Sequence, residues 1–294
     1  MAVVGPTADG GSAQSSAWTA GQVAQYLGIS ESTLRTWHRR YGLDPYGSAP
    51  GRYRRYRPVD VARLRRMLDL IDAGMLASEA ARAVQSGDPA AVPAGQEVSE
   101  LLDAARALDT DRCRLLLDGV LASHGVCAAW ELICRPALAA ADADQLHDPD
   151  CTDVEHTLSW AMLAAFGGLA RPPADAGTPS VLLACTEDEL HTLPLAALEA
   201  ALAERRVPVR MLGAANPAPS LARAVRVTRP STIVLWAQRP ETAGTEVLRH
   251  LASCKVLVVT AGPGWPPHAS PGVSHVDTLM AAVFLVTKKR GGKG

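Results

Sequence analysis

The spacing of apolar residues changes twice along the chain, and these changes divide it into three parts. Over residues 18–87, apolar side chains recur every three or four positions, which is the period of an amphipathic α-helix. Glycines at positions 28 and 74 interrupt this spacing where helices are expected to end. The pattern predicts four helices in this part, over residues 18–27, 29–41, 60–73 and 78–84.

Helical spacing continues through residues 97–170, where it predicts four more helices. The predicted helices cover residues 98–108, 111–123, 126–143 and 152–169. Because the connections between them are short, we expect a small four-helix bundle. Linkers rich in proline, glycine and alanine, at residues 88–96 and 171–178, separate this bundle from its neighbours.

Residues 179–288 show a different pattern, in which short β-branched runs alternate with helical spacing. The predicted strands cover residues 180–185, 208–212, 232–235 and 255–260, with a fifth near 273–276. The predicted helices cover residues 193–206, 220–227, 242–251 and 279–286. Such alternation is typical of a flavodoxin- or Rossmann-like parallel sheet, with a binding crevice at the carboxyl ends of its strands.

The expected fold class is therefore multidomain α and α/β. The termini fall outside the three patterned parts. Residues 1–17 are rich in glycine, serine and alanine and are predicted to be disordered, and residues 289–294 form a basic, glycine-rich tail.

Charge is distributed unevenly along a chain whose formal net charge is only −1. Residues 18–87 contain eleven arginines against six acidic residues, so this part is net positive by five and the remainder is acidic. A basic head on a neutral-to-acidic body favours a head that binds a polyanion.

The cysteine spacing, the length of the apolar runs and the absence of catalytic motifs argue against several classes of protein. The six cysteines are scattered without the spacing of zinc ligands, so we expect reduced thiols in a cytoplasmic protein. No apolar run reaches transmembrane length and the N-terminus lacks the design of a signal peptide, which predicts no membrane association. No Ser/His/Asp set, phosphate-binding loop or paired-carboxylate site appears, so we expect no enzyme activity.

The stretch 29–56 carries the candidate chemistry of the head. A helix with Ser30 as its N-cap buries one apolar face and presents basic residues on the other, and a run of alternating arginine and tyrosine follows it. A helix, a glycine turn and a second helix with a basic face are typical of a helix-turn-helix that enters a DNA groove. The candidate DNA-contacting residues are Thr33, Arg35, Thr36, His38, Arg39, Arg40, Arg52, Tyr53, Arg54, Arg55 and Tyr56.

Several short blocks of the head resemble the MerR-type winged helix-turn-helix, in the same order and register. These blocks are Gln22-Val23-Ala24, Gly28-Ile29-Ser30, Thr33 to Trp37, Tyr41-Gly42-Leu43, Arg52 to Tyr56, Asp60-Val61 and Leu70 to Met75. The resemblance implies a DNA-binding domain over residues 18–87. It implies base contacts from Arg35, Thr36, His38 and Arg39, and phosphate contacts from the arginines at 52, 54 and 55.

The loop after the first strand of the third part holds the candidate ligand-binding residues. His191 stands at the expected crevice mouth, and Glu189, two residues before it, is placed to hydrogen-bond the imidazole and fix its tautomer. Taken alone, a loop histidine is more often a solvated polar residue than a ligand.

A helical bundle followed by such a sheet domain, with acid-x-His in the first β/α loop and a glycine turn after the fourth strand, resembles the cobalamin-binding module. Joined to a MerR-type head, it is similar to the CarH/LitR regulators, which are adenosylcobalamin-dependent light sensors. The resemblance implies His191 as the lower axial ligand of cobalt and Glu189 as its partner. It places Gly262 and Gly264 in a slot for the nucleotide tail, and Glu155 and His156 in the bundle motif.

Three positions depart from that family pattern. Pro194 replaces a glycine, and Trp236 stands where a small hydroxyl residue is usual, so its ring is expected to fill the tail slot. Gln145 occupies the position of the tryptophan that caps the adenosyl group. Bound cobalamin and a site without a ligand are therefore both open. For Glu155 and His156 we favour a polar pair, and for Trp130 and Trp160 a place in the bundle core.

Together these observations predict a DNA-binding regulator, most simply a repressor, that binds an inverted repeat in double-stranded DNA as a homo-oligomer (dimer or tetramer). The bundle and sheet domain would form its sensor or oligomerisation module. Two alternatives stay open: a corrinoid methyl-transfer module, and a ligand-free factor controlled by a partner protein.

Overall fold

The computed structural model describes residues 18–45, 54–72, 76–86, 94–147, 152–172, 181–266 and 268–288. The predictions for the two termini, for Arg52 and Tyr53, and for Gly74 lie outside these ranges.

The basic head is a small helical unit closed by a short two-stranded sheet. Its elements are β1 (Trp18–Thr19), α1 (Ala20–Leu27), α2 (Glu31–Tyr41), β2 (Arg55–Tyr56), α3 (Pro58–Asp72) and α4 (Ala77–Ser86). The helix predicted to begin at Trp18 begins at Ala20 instead. The reason is that Trp18 and Thr19 pair antiparallel with β2, and Thr19 then caps α1 through a capping box with Gln22.

The turn between α1 and α2 follows from two sequence signals. Gly28 adopts φ +72°, a left-handed conformation that glycine reaches without strain, and it ends α1. The Ser30 hydroxyl then accepts a hydrogen bond from the Thr33 N–H and starts α2. The predicted helix pair is therefore confirmed.

The second part of the chain is a helical bundle. Its helices are α5 (Ala94–Arg106), α6 (Thr110–Ala129), α7 (Arg135–His147) and α8 (Thr152–Gly167), with a π-helical turn at Trp130–Cys134 between α6 and α7. The predicted break before Val126 is confirmed, because Gly125 adopts φ +71° and ψ 163° and interrupts α6. Glu204, beyond the end of the first helix of the sheet domain, accepts the Val126 N–H at 2.9 Å and so satisfies a backbone donor that the break exposes.

The third part is the predicted parallel sheet, which is confirmed. Its strands are β3 (Val181–Cys185), β4 (Val209–Gly213), β5 (Thr232–Trp236), β6 (Leu257–Ala261) and β7 (Ser274–Val276), in the order β4-β3-β5-β6-β7. Its helices are α9 (Leu193–Ala203), α10 (Ala218–Thr228), α11 (Glu246–Leu251) and α12 (Leu279–Lys288), with a 3-10 turn at Pro240–Thr242. Strand order reverses direction at β3 and β5, so the crevice lies at their carboxyl ends.

Helix α12 connects the sheet to the head. Leu279, Val283 and Val286 belong to the core between the sheet and the bundle, whereas Met280 is buried in the core of the head. The ring of Phe284 meets that of Trp18 edge-on, with centroids 5.9 Å apart. A cavity of about 460 Å³ remains beside this contact, between the head and β7.

A second contact ties the head to the rest of the molecule. The guanidinium carbon of Arg205, at the end of α9, lies 4.1 Å from the centroid of the Tyr26 ring on α1. Burial raises the pKa of Tyr26 well above its ordinary value, and the neighbouring Cys127 of α6 adds to the effect. The head is thus packed against both the bundle and the sheet domain.

One helical run, Thr110–Gln145, is long and apolar enough to cross a membrane by length and composition alone. Half of its most apolar window is buried inside the protein, and Gly125 interrupts it. We assign this run to the bundle core.

Candidate nucleic-acid interface and ligand crevice

The outer face of α2 is an exposed basic surface. Arg35, Arg39 and Arg40 are exposed, while Leu34 and Trp37 on the opposite face are buried in the core of the head. Among the described residues, neither Arg39 nor Arg40 forms an ion pair with a carboxylate. These guanidinium groups are therefore available to phosphates or base edges.

The two threonines of the candidate set lie partly buried on α2 and bond locally. The Thr33 hydroxyl lies 2.8 Å from the Ser30 hydroxyl, and the Thr36 hydroxyl donates to the Ser32 carbonyl at 2.9 Å. Both sit beside the exposed arginines, so they remain in the proposed DNA-contacting set.

His38 and Tyr56 do not lie on the outer surface of the head. His38 is 4 % exposed, and its ring stacks on that of Tyr56 with centroids 5.7 Å apart. The Tyr56 hydroxyl and His38 Nε2 are 3.3 Å apart, and burial lowers the pKa of the imidazole. The placement of these two side chains at the DNA was wrong: they join β2 to α2 and hold the basic run against the helix.

Only part of the arginine/tyrosine run lies within the described residues. Arg54 and Arg55 are exposed. The Arg54 Nε is 3.1 Å from a carboxylate oxygen of Asp44, which holds this side chain close to the end of α2. Arg55 pairs with Thr19 in the two-stranded sheet. Both remain proposed phosphate contacts.

The loop after β3 holds His191 in one orientation. Glu189 is fully buried, and its carboxylate accepts the backbone N–H of His191 at 2.8 Å and the imidazole Nδ1 at 2.5 Å. Because an ionised carboxylate only accepts, Nδ1 carries the proton and Nε2 is left as a lone-pair donor. The His191 side chain is 52 % exposed, so Nε2 can meet a ligand in the crevice.

Thr242, which the sequence interpretation missed, completes this arrangement. Its hydroxyl donates to the second oxygen of Glu189 at 2.6 Å, and the Gln238 N–H donates to the same oxygen at 2.7 Å. Burial alone would raise the pKa of Glu189, but the hydrogen bonds from Thr242, His191 and Gln238 outweigh it and lower the pKa to about 2. A hydroxyl residue in the loop after β5, at the same edge of the sheet as His191, was the signal available in the sequence.

A carboxylate of the bundle interacts electrostatically with His191. Asp142 on α7 lies within electrostatic range of Glu155 on α8 and of His191. Burial and the charge of Glu155 raise the pKa of Asp142, and His191 opposes them. Asp142 thus couples the bundle electrostatically to the His191 loop. Within the described ranges no three His, Cys, Asp or Glu side chains converge closely enough to hold a metal ion.

The other bundle candidates separate into buried and exposed residues. His156 is 74 % exposed and lies 3.9 Å from Glu155, which fits the polar pair that we favoured. Trp130 is buried in the bundle core, as expected. The same expectation for Trp160 was wrong, since this side chain is 68 % exposed on α8.

Comparison with known proteins identifies similar sequences for the head and for most of the chain. A model of the MerR HTH family regulatory proteins matches residues 18–87. The chain is 31% identical over 286 residues to the HTH-type transcriptional repressor CarA of Myxococcus xanthus. This alignment covers 92% of the chain and 96% of CarA. The chain belongs to the MerR-type transcriptional regulators related to CarA. It is also 32% identical over 231 residues to the repressor CarH of the same organism, covering 72% of this chain and 76% of CarH.

The bundle and sheet domain of this MerR-type regulator have the fold of a corrinoid protein. The monomethylamine corrinoid protein of Methanosarcina barkeri superposes on 67% of this chain and 99% of its own, with a TM-score of 0.51 and 11% sequence identity. This likeness concerns the fold alone, so the residues must decide whether cobalamin fits.

The orientation of His191 suits an axial nitrogen ligand, and the glycine turn after β6 packs closely against the loop after β5. His191 presents Nε2 on a ring fixed by Glu189, as an axial nitrogen ligand requires. A Cβ at Gly262 would lie 2.4 Å from the Ala237 carbonyl oxygen and 3.1 Å from the Trp236 ring, and one at Gly264 would lie 2.3 Å from the Arg239 carbonyl oxygen. Both glycines are therefore required by the close approach of the loop after β5.

Proposed function

We propose that this regulator represses transcription in the cytoplasm by binding an inverted repeat in double-stranded DNA as a homo-oligomer. The observation that carries the proposal is the exposed arginine face of α2, backed by a complete helix-turn-helix core. Helix α2 would lie in the major groove, and the arginines of α2 and β2 would neutralise phosphates on either side.

An inverted repeat has two-fold symmetry, so the protein that binds it must offer two equivalent heads, as a homo-oligomer does. One helix of eleven residues reads only a few base pairs, and a two-fold pair of heads reads two half-sites spaced by whole turns of DNA. We assign oligomerisation and control to the bundle and sheet domain, which hold the head through α12 and Arg205.

The control site in this proposal is the crevice around His191. It combines a half-exposed imidazole, a buried carboxylate that orients it, and Asp142 of α7, which interacts electrostatically with His191. Occupancy of the crevice would change the free energy of packing between the bundle and the sheet domain, and the head contacts both.

Selection from a random duplex library tests the DNA-binding role. We expect the full chain to enrich a palindromic sequence whose half-sites lie about 10 base pairs apart, centre to centre, or a multiple of that spacing. Sedimentation of the protein bound to the selected duplex should show at least two protomers on one site. Enrichment of no sequence, or binding of a single protomer to an asymmetric site, would contradict the proposal.

A further inference from the structure

The cavity of about 460 Å³ at the junction of the head and the sheet domain lies apart from the His191 loop, with which it shares no lining residue. Trp18 and Gln22 line it from the head, and residues of β7, of α12 and of the loop before β7 line it from the sheet domain. Its volume falls within the range of about 300–1,000 Å³ that is typical of small-molecule sites. A ligand of two fused rings would therefore touch both parts of the molecule at once.

Aromatic and aliphatic side chains form most of the wall. The ring of Trp18 meets that of Phe284 edge-on at one side, and Val273, Val276 and Leu285 supply the aliphatic part. Aromatic rings prefer such edge-on or offset contacts with one another, so a flat aromatic ligand suits this wall.

The polar part of the wall carries no fixed charge. No lysine, arginine, aspartate or glutamate lines the cavity within the described ranges. The ring of His275 is held at both nitrogens, with Nδ1 3.1 Å from the Thr260 hydroxyl and Nε2 2.8 Å from a carboxylate oxygen of Asp277. A charged ligand would lose its hydration here without gaining a counter-ion, so the lining favours a neutral molecule.

Two polar groups of the wall are left to meet a ligand. Gln22 uses its side-chain oxygen in the capping box of α1, and in the described part of the chain its Nε2 forms no hydrogen bond. The hydroxyl of Ser274, on β7, likewise has no partner among the side chains and backbone groups that the structure describes. Both groups can donate, so a ligand oxygen that accepts hydrogen bonds would satisfy them.

We propose that this cavity binds a neutral aromatic molecule with a hydrogen-bond-accepting oxygen, of the aromatic ketone class, and that the ligand holds the head against the sheet domain. Trp18 makes this coupling direct. Its ring also meets that of Tyr26, with centroids 5.3 Å apart, and Arg205 of the sheet domain lies over the same Tyr26 ring. A ligand packed on Trp18 thus adds to the two contacts that already dock the head. The site is separate from the His191 loop, and the proposal does not depend on the control function assigned to that loop.

Titration of the full chain with prodan, a neutral naphthyl ketone whose emission reports its surroundings, tests the site. We expect saturable binding with a blue shift of the emission and a dissociation constant below about 200 μM. The analogue in which a carboxylate replaces the ketone should bind at least about tenfold more weakly, because the wall offers no cation. Ser274→Ala should weaken prodan binding about three- to tenfold through the loss of one hydrogen bond.

Ala281→Leu fills the cavity from α12 and should abolish the saturable blue shift. The matched control is Ala139→Leu, which adds the same side chain at an exposed position of α7 and should bind prodan as wild type does. Wild-type affinity in Ala281→Leu with a native circular dichroism spectrum would place the dye elsewhere and overturn the proposal. So would equal wild-type affinities for prodan and its carboxylate analogue, or no binding of prodan by native protein. If Ala281→Leu does not fold, Ser274→Ala decides, since unchanged affinity in that variant refutes the site.

Hydrogen–deuterium exchange tests whether the ligand holds the head. Prodan at about ten times its dissociation constant should slow the exchange of α1 amides that open by undocking about tenfold, because the ligand binds only the docked arrangement. Exchange in α10, which does not border the cavity, should stay at the wild-type rate. Saturable prodan binding with unchanged exchange in α1 would refute the holding role.

Discussion

The carboxylate of Glu189 is fully buried, yet four hydrogen bonds keep it ionised. Two come from His191 and two from the loop after β5, through Thr242 and Gln238. At the scale of single residues the site is therefore a chain of hydrogen bonds, in which Thr186 also donates to the Thr242 carbonyl at 2.6 Å. These hydrogen bonds hold one imidazole nitrogen of His191 in a fixed direction.

Replacing Thr242 with valine tests this chain of hydrogen bonds. The valine keeps the shape of the side chain and removes a donor to a charged acceptor, so we expect the free energy of unfolding to fall by about 1.5–3 kcal/mol at pH 7. Thr242→Ser keeps the hydroxyl and should lose less than half of that. Urea unfolding of the three proteins measures both changes.

The pH dependence of the same comparison follows from the pKa of Glu189, which lies at about 2 in the folded protein, below its ordinary value of 4.5. A depressed pKa contributes stability that is fully present above pH 4.5 and is lost as the pH falls toward 2. The difference between wild type and Thr242→Val should therefore shrink below about pH 4. A difference that grows on acidification would show that Glu189 is not the ionised partner.

At the scale of elements, the break in α6 joins the bundle to the sheet domain. Gly125 adopts φ +71° and ψ 163°, a conformation reached almost only by glycine, and the Val126 N–H that it exposes is satisfied by Glu204. The break thus fixes where the second half of α6 begins and how α9 meets it.

Gly125→Ala should lower the free energy of unfolding by about 1–3 kcal/mol, because alanine is strained at this φ and ψ. A Cβ at this position would also lie 3.4 Å from a Glu204 carboxylate oxygen. Gly119→Ala is the control within the same helix, where a Cβ meets nothing within 4 Å and alanine should stabilise by about 0.5–1 kcal/mol. Thermal unfolding of both variants tests the contrast, and equal effects would contradict it.

Much of the secondary structure was predictable from the sequence, because local signals decide where helices and strands begin and end. Periodic apolar spacing predicted the helices and strands of all three parts, and Gly28 marked the break between the first two helices. Trp18 was misassigned because its pairing partner in β2 lies more than thirty residues away. His38 and Trp160 were misplaced for a related reason: helical spacing shows which residues share a face, but the neighbouring elements decide which face is covered.

The hydrogen-bonded group around His191 was predictable from the sequence only in part. Acid-x-His at the carboxyl end of β3 identified Glu189 and His191. Thr242 went unnoticed because it is 53 residues from Glu189 in sequence. The sequence suggested that the Trp236 ring lies near the glycine turn, and the structure places two carbons of that ring 3.1 Å from a Cβ built at Gly262.

At the scale of the whole molecule, the head is held at two points by the parts that would control it. Met280 and Phe284 of α12 pack on the core of the head, and Arg205 lies over the Tyr26 ring. With the head docked in this way, Arg35, Arg39 and Arg40 of α2 remain exposed. The docked head can therefore present these arginines to DNA while it stays packed on the bundle and the sheet domain.

Arg205→Ala should loosen this docking, since a partly buried cation–π contact contributes about 0.5–2 kcal/mol. We expect faster hydrogen–deuterium exchange in α1 of the variant. Arg210→Ala, an exposed arginine on β4, should leave exchange in α1 at the wild-type rate. Unchanged exchange in Arg205→Ala would show that α12 alone holds the head.

The salt dependence of operator binding tests the central claim, that the arginine face of α2 binds DNA. For the full chain on its selected duplex, Arg39→Ala combined with Arg40→Ala should weaken binding at least about tenfold. The slope of log Kobs against log salt should fall by about 0.9 for each phosphate that the variant no longer neutralises. Arg226→Ala, which removes an exposed arginine from α10, should match wild type in both quantities. Wild-type affinity and slope in the Arg39/Arg40 variant would contradict the account.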